Sequence, residues 1–395
     1  MLRPYDVRTA AAEEVIMTSQ RVVFRTSLCD LLGIDYPILQ SGMGLIAGPD
    51  LVAEVSAAGG LGIVAGFMLT ADQLRAAIRT VRAKTNRPFG VNLWLSSDLR
   101  PPAPAAAISD ESAQHVQAAL NPMRTKLGLP AISARPSAAP DLIPGALEAV
   151  LDERVPVFSI AVGNPGAEFV ADCHRRGIKV IAMVTTATDA RVVEAARVDA
   201  VVAQGAEAGG HRAHFLKPAS SEYGALGTLA LIPQVVDAVR IPVIAAGGIA
   251  DGRGVIAALA LGARGVLMGT RFVATRESMA FGTFKKALLE ESGDATTVTD
   301  VFTGRYARVL RNTFAETYAR SGAPVLPFPW QYMAAADIYR EAAAKDHRDH
   351  FPLVAGQSVG LINDLPTAAE VIATIIKEAQ AVLQERLPQT VALNE

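Results

Sequence analysis

Short, nearly continuous apolar runs alternate along the chain with longer stretches in which apolar residues recur every three or four positions. The runs are Pro37–Gln40, Leu61–Ala65, Phe89–Leu95, Val157–Ala161, Lys179–Val184, Asp199–Gln204, Pro242–Ala246 and Gly265–Gly269. Unbroken apolarity over so few residues is what a parallel strand needs when helices cover both faces of its sheet. Between the runs the period changes. Leu74, Ala77, Ile78 and Val81 fall at i, i+3, i+4 and i+7, with Arg75, Arg79 and Arg82 on the other side. Thr70-Ala71-Asp72-Gln73 forms a capping box ahead of that helix. Ile232, Val235, Val236 and Val239 repeat the spacing, with Pro233 suited to a first turn. Asp251 is placed to cap Val255–Leu261, and Gly262 to stop it. Eight such units predict an α/β protein, a (β/α)8 TIM barrel with an appended helical C-terminal part. The rival is a doubly wound sheet. GLGIVAG (Gly60–Gly66) does not support it, because its glycines do not fit the GxGxxG spacing.

The pattern also divides the chain. Residues 1–25 read as a loose leader, and residues 26–275 as the barrel. Within it, 99–151 is a Pro- and Ala-rich excursion, read equally as a lid or as a variable insertion. Residues 276–365 read as a helical subdomain broken by APVLPFPW (Ala323–Trp330), and 366–395 as a final helix packing back on the barrel, with a tail. GQSVGLIND (Gly356–Asp364) reads as a turn without derivable chemistry.

Composition narrows the classes. Half of the 395 residues are hydrophobic, and the net charge of −2 provides no general attraction to nucleic acid or anionic membrane. The two cysteines, Cys29 and Cys173, form no CxxC, so neither a disulfide framework nor a thiolate metal site is expected. His347 and His350 lie among charges and read as a solvated face rather than a metal pair. No apolar run reaches the ~18 residues of a membrane span. The expectation is a cytoplasmic protein with a small-molecule partner, without nucleic acid, membrane or metal, and open to self-association.

In a barrel of this kind ligands sit at the C-terminal ends of the strands, with phosphate commonly held after the last two. Those loops are AAGGIADG (Ala245–Gly252) and MGTRF (Met268–Phe272). Gly247, Gly248 and Gly269 leave backbone N–H groups bare, Thr270 offers a hydroxyl, and the following helices would direct their N-termini at a dianion. The plainer reading, tight turns only, is weakened because both expected loops are glycine-rich. The first strand ends in QSGMG, bringing Gln40, Met43 and Gly44 to the mouth. Asn92 interrupts FGVNLWL, and Gln204 ends the sixth strand. Sparse amides on apolar walls suit a flat ring with hydrogen-bonding edges and a phosphate tail, as in FMN. AQGAEAGGHRAH (Ala203–His214) then acquires a purpose. Gly209 and Gly210 would let the loop lie on the ring, with His211 over its reactive side as a proton acceptor or donor. Otherwise His211 is an ordinary histidine after a turn. Arg212 and His214 are weaker candidates. The loop carries no cysteine nucleophile, and the strand ends carry no paired acids.

Taken together, QSGMG, GVN, AQGAEAGGHR, IPVIAAGGIADGRG and MGTRF resemble the nitronate monooxygenase family, over about Leu28 to Thr275 and more loosely beyond. EAGGH is shared with its sister group, the flavin-dependent enoyl-acyl-carrier-protein reductases. The resemblance implies non-covalent FMN, with Met43, Gly44, Asn92, Gln204 and Gly209 along the ring and ribityl chain. It places Gly247, Gly248, Met268, Gly269 and Thr270 at the phosphate, and His211 as the catalytic histidine. It implies oxidation of an alkyl nitronate or nitroalkane by O2 to a carbonyl compound and nitrite, without NAD(P)H. Protonated His211 would hold the nitronate oxygens, and neutral His211 would take the carbon proton of a nitroalkane. The alternatives are an NAD(P)H-dependent enoyl-thioester reductase and a flavin-binding module without activity. Ala213, where glycine is usual after His-Arg, and AGQ (Ala355–Gln357), which lacks a preceding tryptophan, depart from the family pattern.

Overall fold

The computed structural model describes residues 24–95, 108–215, 220 and 225–391. The leader expected before residue 24 and the start of the 99–151 excursion lie outside them. Each expected run forms a strand: β1 (Ile38–Gln40), β2 (Gly62–Ala65), β3 (Phe89–Trp94), β4 (Val157–Val162), β5 (Lys179–Val184), β6 (Ala200–Gln204), β8 (Val243–Ala246) and β9 (Gly265–Met268). They pair in parallel in the order β1-β9-β8-β6-β5-β4-β3-β2. The ring closes between β1 and β2 through a bridge at Leu39 and Leu61. The Gln40 side chain reinforces that seam: its Oε1 accepts from the Ile63 N–H at 3.1 Å, and its Nε2 also reaches Ser41 O. Gln40 is therefore fully buried as a clip between staves, not a ligand group at the mouth.

Alternation along the strands separates two apolar layers. Ile181, Met183, Val202, Ile244 and Leu267 fill the interior, while Val180, Ala182, Val184, Val243 and Val266 pack against the surrounding helices. The helices follow their sequence signals. Thr70 and Gln73 form the expected capping box on Ala71–Lys84, which buries Leu74, Ile78 and Val81. Asp251 caps Gly252–Ala260. Pro233 departs from expectation. The Thr228–Ala238 helix begins before it because Glu207, from the loop after β6, binds the Thr228 N–H and hydroxyl. Thr367 and Glu370 cap Ala368–Ala381, whose Val371, Ile372, Ile375 and Ile376 join the outer barrel layer as expected.

The segment expected to be a helical subdomain is not purely helical. It contains the antiparallel pair β10 (Thr296–Thr299) and β11 (Ala307–Leu310), and β11 also pairs with β7 (Gly210–His211) from the barrel. Nor does it stand alone. Its apolar core takes Ala113, Val116, Leu120, Met123 and Leu127 from the excursion. Fully buried Arg124 of Asp110–Leu127 pairs with Asp337 at 2.8 Å and donates to Ala334 O at 2.6 Å. This part of the excursion is thus a packed wall of the second core. His350 contradicts the solvated-face reading: it is buried, with its Nδ1 3.2 Å from His347 Nδ1. Among the described residues no group of three or more metal-ligating side chains forms, and no helix is long and apolar enough to cross a membrane.

Candidate active site

The C-terminal ends of the staves open into one cavity of about 260 Å³ between the barrel mouth and the second core. Twelve of the residues singled out from the sequence border it; Gln40, Arg212 and His214 are not among its lining. Met43 and Gly44 come from the loop after β1, Asn92 from β3, and Gln204 from β6. Gly209, Gly210 and His211 arrive on the next loop, Gly247 and Gly248 after β8, and Met268, Gly269 and Thr270 at the end of β9.

The two glycine turns meet the steric requirement of a backbone cradle. Gly247 and Gly248 have φ of 104° and 72°, where a side chain would be strained. A Cβ on Gly269 would lie 3.6 Å from the Met43 sulfur, filling the gap between the turn and β1's loop. The helix expected to aim its N-terminus at a dianion is already occupied. Asp251 accepts from Arg253 N and Gly254 N, and Glu378 from Gly252 N. An anion here would be left the N–H groups of the turns themselves. Thr270 Oγ1 accepts from the Gly356 N–H at 2.9 Å, leaving its proton to donate.

The His211 loop is held from three sides. Gln204 Nε2 donates to His211 O at 2.9 Å, and its Oε1 accepts from Ala213 N at 2.9 Å. Its amide therefore braces the loop. β11 pairs with His211 and Gly210 from the other side. The third hold is at Gly209. A Cβ there would collide with the Ala355–Gly356 backbone, so the bare Cα admits a protein segment at the cavity's border. Gln357 N also donates to Glu207 O at 2.9 Å. The GQSVGLIND turn thus ties the loops after β6 and β9 together. Nothing local in its sequence signals this, because the contacts span over eighty residues.

His211 is part-buried against an aromatic wall. Trp94 meets it edge-on with ring centroids 4.8 Å apart, and Phe67 stacks on Trp94 at 4.0 Å. His211 Nε2 lies 2.8 Å from Thr303 Oγ1, which also lies 3.3 Å from Arg305 O. Burial, and then the Arg305 charge, push the imidazole down to about 3, so it is neutral at physiological pH. His214 is brought down to about 4 by burial, then by Arg212 and Arg305. It points inside the barrel to Thr185 Oγ1 at 2.8 Å. Arg212 turns to Gly205 O at 2.7 Å. Both brace the scaffold. Trp94, Phe67, Phe328 and Thr303 had not been singled out. Trp94 sits within FGVNLWL, and the others lie on distant loops.

The family profile of nitronate monooxygenase matches residues 25–378. The chain belongs to the nitronate monooxygenase family, which is generally flavin-dependent. A probable nitronate monooxygenase of Staphylococcus haemolyticus (strain JCSC1435) is 39% identical over 337 residues, covering 85% of this chain and 92% of the relative. Among solved structures, nitroalkane oxidase from Streptomyces ansochromogenes superposes with a TM-score of 0.81 at 33% identity, covering 91% of this chain and 99% of that one. FabK from Thermotoga maritima superposes with a TM-score of 0.73 at 35% identity, covering 93% and 99%.

Proposed function

We propose that the chain binds FMN in this cavity and oxidises alkyl nitronates, and the nitroalkanes that give rise to them, to carbonyl compounds and nitrite with O2. The observation that carries this reading is His211, neutral and braced at the apolar mouth beside the two glycine turns. The turns at Gly247–Gly248 and Gly269–Thr270 would take the phosphate, and the apolar walls the ring. Met43, Gly44 and Asn92 would border the ring and ribityl chain. Asn92 spends its Nδ2 on Ser159, at 3.0 Å from the hydroxyl. The flavin would supply the electron acceptor and the reaction with O2.

The chain's own part is acid–base and positional. A neutral nitroalkane loses its α-proton to a ring nitrogen of His211, leaving the negative charge on the nitronate. Burial leaves the ring neutral and so able to accept that proton, while a value near 3 makes it a weak base, so the base role rests on its position rather than on its basicity. Thr303 fixes the ring, and Gln204 fixes the backbone that carries it. Two nitronates and one O2 balance as two carbonyl compounds and two nitrites.

Oxygen uptake and nitrite release by the yellow holoenzyme with ethyl nitronate, without pyridine nucleotide, test the proposal. Turnover with two nitrites per O2 is expected; no turnover overturns it. The likeness to FabK favours a second reading, an enoyl-thioester reductase. Catalytic anaerobic bleaching of the flavin by NADH would select that reading.

A further inference from the structure

Resting on that function, the cavity wall points to a more specific substrate: we infer that the enzyme prefers nitronates bearing an apolar, ring-sized substituent over short or carboxylated ones. Phe67, Trp94 and Phe328 form a continuous aromatic surface. Phe67 and Trp94 stack at 4.0 Å, and Phe328 closes on them at 6.1 and 5.9 Å. The surface touches the base directly through Trp94. A substituent on the carbon that delivers its proton to His211 therefore lies against it. Tyr332 and Val162 extend the same wall.

Charge argues in the same direction. Among the described residues lining the cavity, none is Asp, Glu, Lys or Arg. The nearby arginines serve the scaffold behind the loop. Arg212 donates to Gly205 O, Arg305 to His214 O at 2.6 Å, and Arg308 to Ala206 O at 3.0 Å. Among the described residues a carboxylate on the substrate would lose its water without meeting a counter-charge. The nitronate's own charge is delocalised over carbon and two oxygens and leaves on nitrite; every substrate compared carries it, so it does not bear on the comparison. A phenyl ring would instead bury its faces and edges on aromatic partners.

The test compares kcat/KM of the holoenzyme for the nitronates of nitroethane, 1-nitrobutane and phenylnitromethane, and for propionate 3-nitronate, a carboxylate of about the butyl compound's size. The expectation is at least about tenfold in favour of the phenyl over the ethyl compound, and a similar factor against propionate 3-nitronate relative to butyl nitronate. Phe67→Ala and, independently, Phe328→Leu should shrink the phenyl-to-ethyl ratio, chiefly through KM. Equal or better turnover of propionate 3-nitronate, or a ratio unmoved in two folded variants, would overturn the inference and leave the proposed function standing. No turnover of any nitronate would remove both.

Discussion

The two ends of the cavity are built by different means. The end beside β8 and β9 is backbone: glycine turns, positive φ and closely approaching chains. The end beside His211 is side chains: Phe67, Trp94 and Phe328 reach it from three separate segments, and Thr303 from a fourth. A backbone cradle suits a ligand common to every turnover, because it leaves little for substitution to vary. A wall of side chains is where one substrate is told from another. The loop carrying His211 joins the two, since Gln204 holds it to the barrel and β11 holds it to the second core.

Breaking the backbone end has the largest expected effect on flavin binding. Gly247→Val places a branched side chain at φ 104°, with its Cβ 3.0 Å from Ala208 N. Strain of about 1–3 kcal/mol transmitted to the turn corresponds to roughly ten- to a hundredfold in affinity. Flavin absorbance after gel filtration should fall accordingly while the far-ultraviolet dichroism persists. Next comes the side-chain end. Arg124 anchors the Trp330–Ala344 helix, which follows directly on Phe328. Arg124→Ala leaves Asp337 without its buried partner, at a cost of about 3–5 kcal/mol in urea unfolding. Flavin content should stay unchanged, in contrast to the glycine variant.

A separate effect, on stability alone, follows from protonation. His211 and His214 sit near 3 and 4 in the fold, against an ordinary value of 6.5. Between those values the unfolded chain holds protons that the folded chain does not. The stability their neutral forms contribute is therefore complete above about pH 6.5 and is lost as pH falls toward 4 and 3. Melting temperature against pH should decline through that window, and less steeply in His214→Phe if that variant folds. The smallest effect is Asp251→Ala, about 1 kcal/mol for a lost helix cap. It should leave flavin affinity unaltered, because that helix N-terminus is closed by carboxylates rather than open to phosphate.

The same contrast governs what was legible in the sequence. Strands, capping boxes and glycine turns are local, so the eight staves and the residues of the backbone end could be read directly. Glu207 starting the Thr228–Ala238 helix, the Ala355–Gly356 backbone pressing on Gly209, and β11 pairing with β7 are contacts between distant segments. Hydrophobic period does not encode them. At Gly209 the demand for glycine comes from a segment almost 150 residues further along the chain. The aromatic wall escaped for a similar cause, since Phe67 and Phe328 look like core residues until Trp94 and His211 are seen between them.

The base role of His211 is tested most directly by comparing nitroethane with pre-ionised ethyl nitronate in the wild type and in His211→Asn. The account predicts that kcat/KM for nitroethane falls by about 10²-fold or more, while that for ethyl nitronate, which has no proton to give, changes by less than about tenfold. Equal losses on both substrates, or no loss on nitroethane, would contradict it.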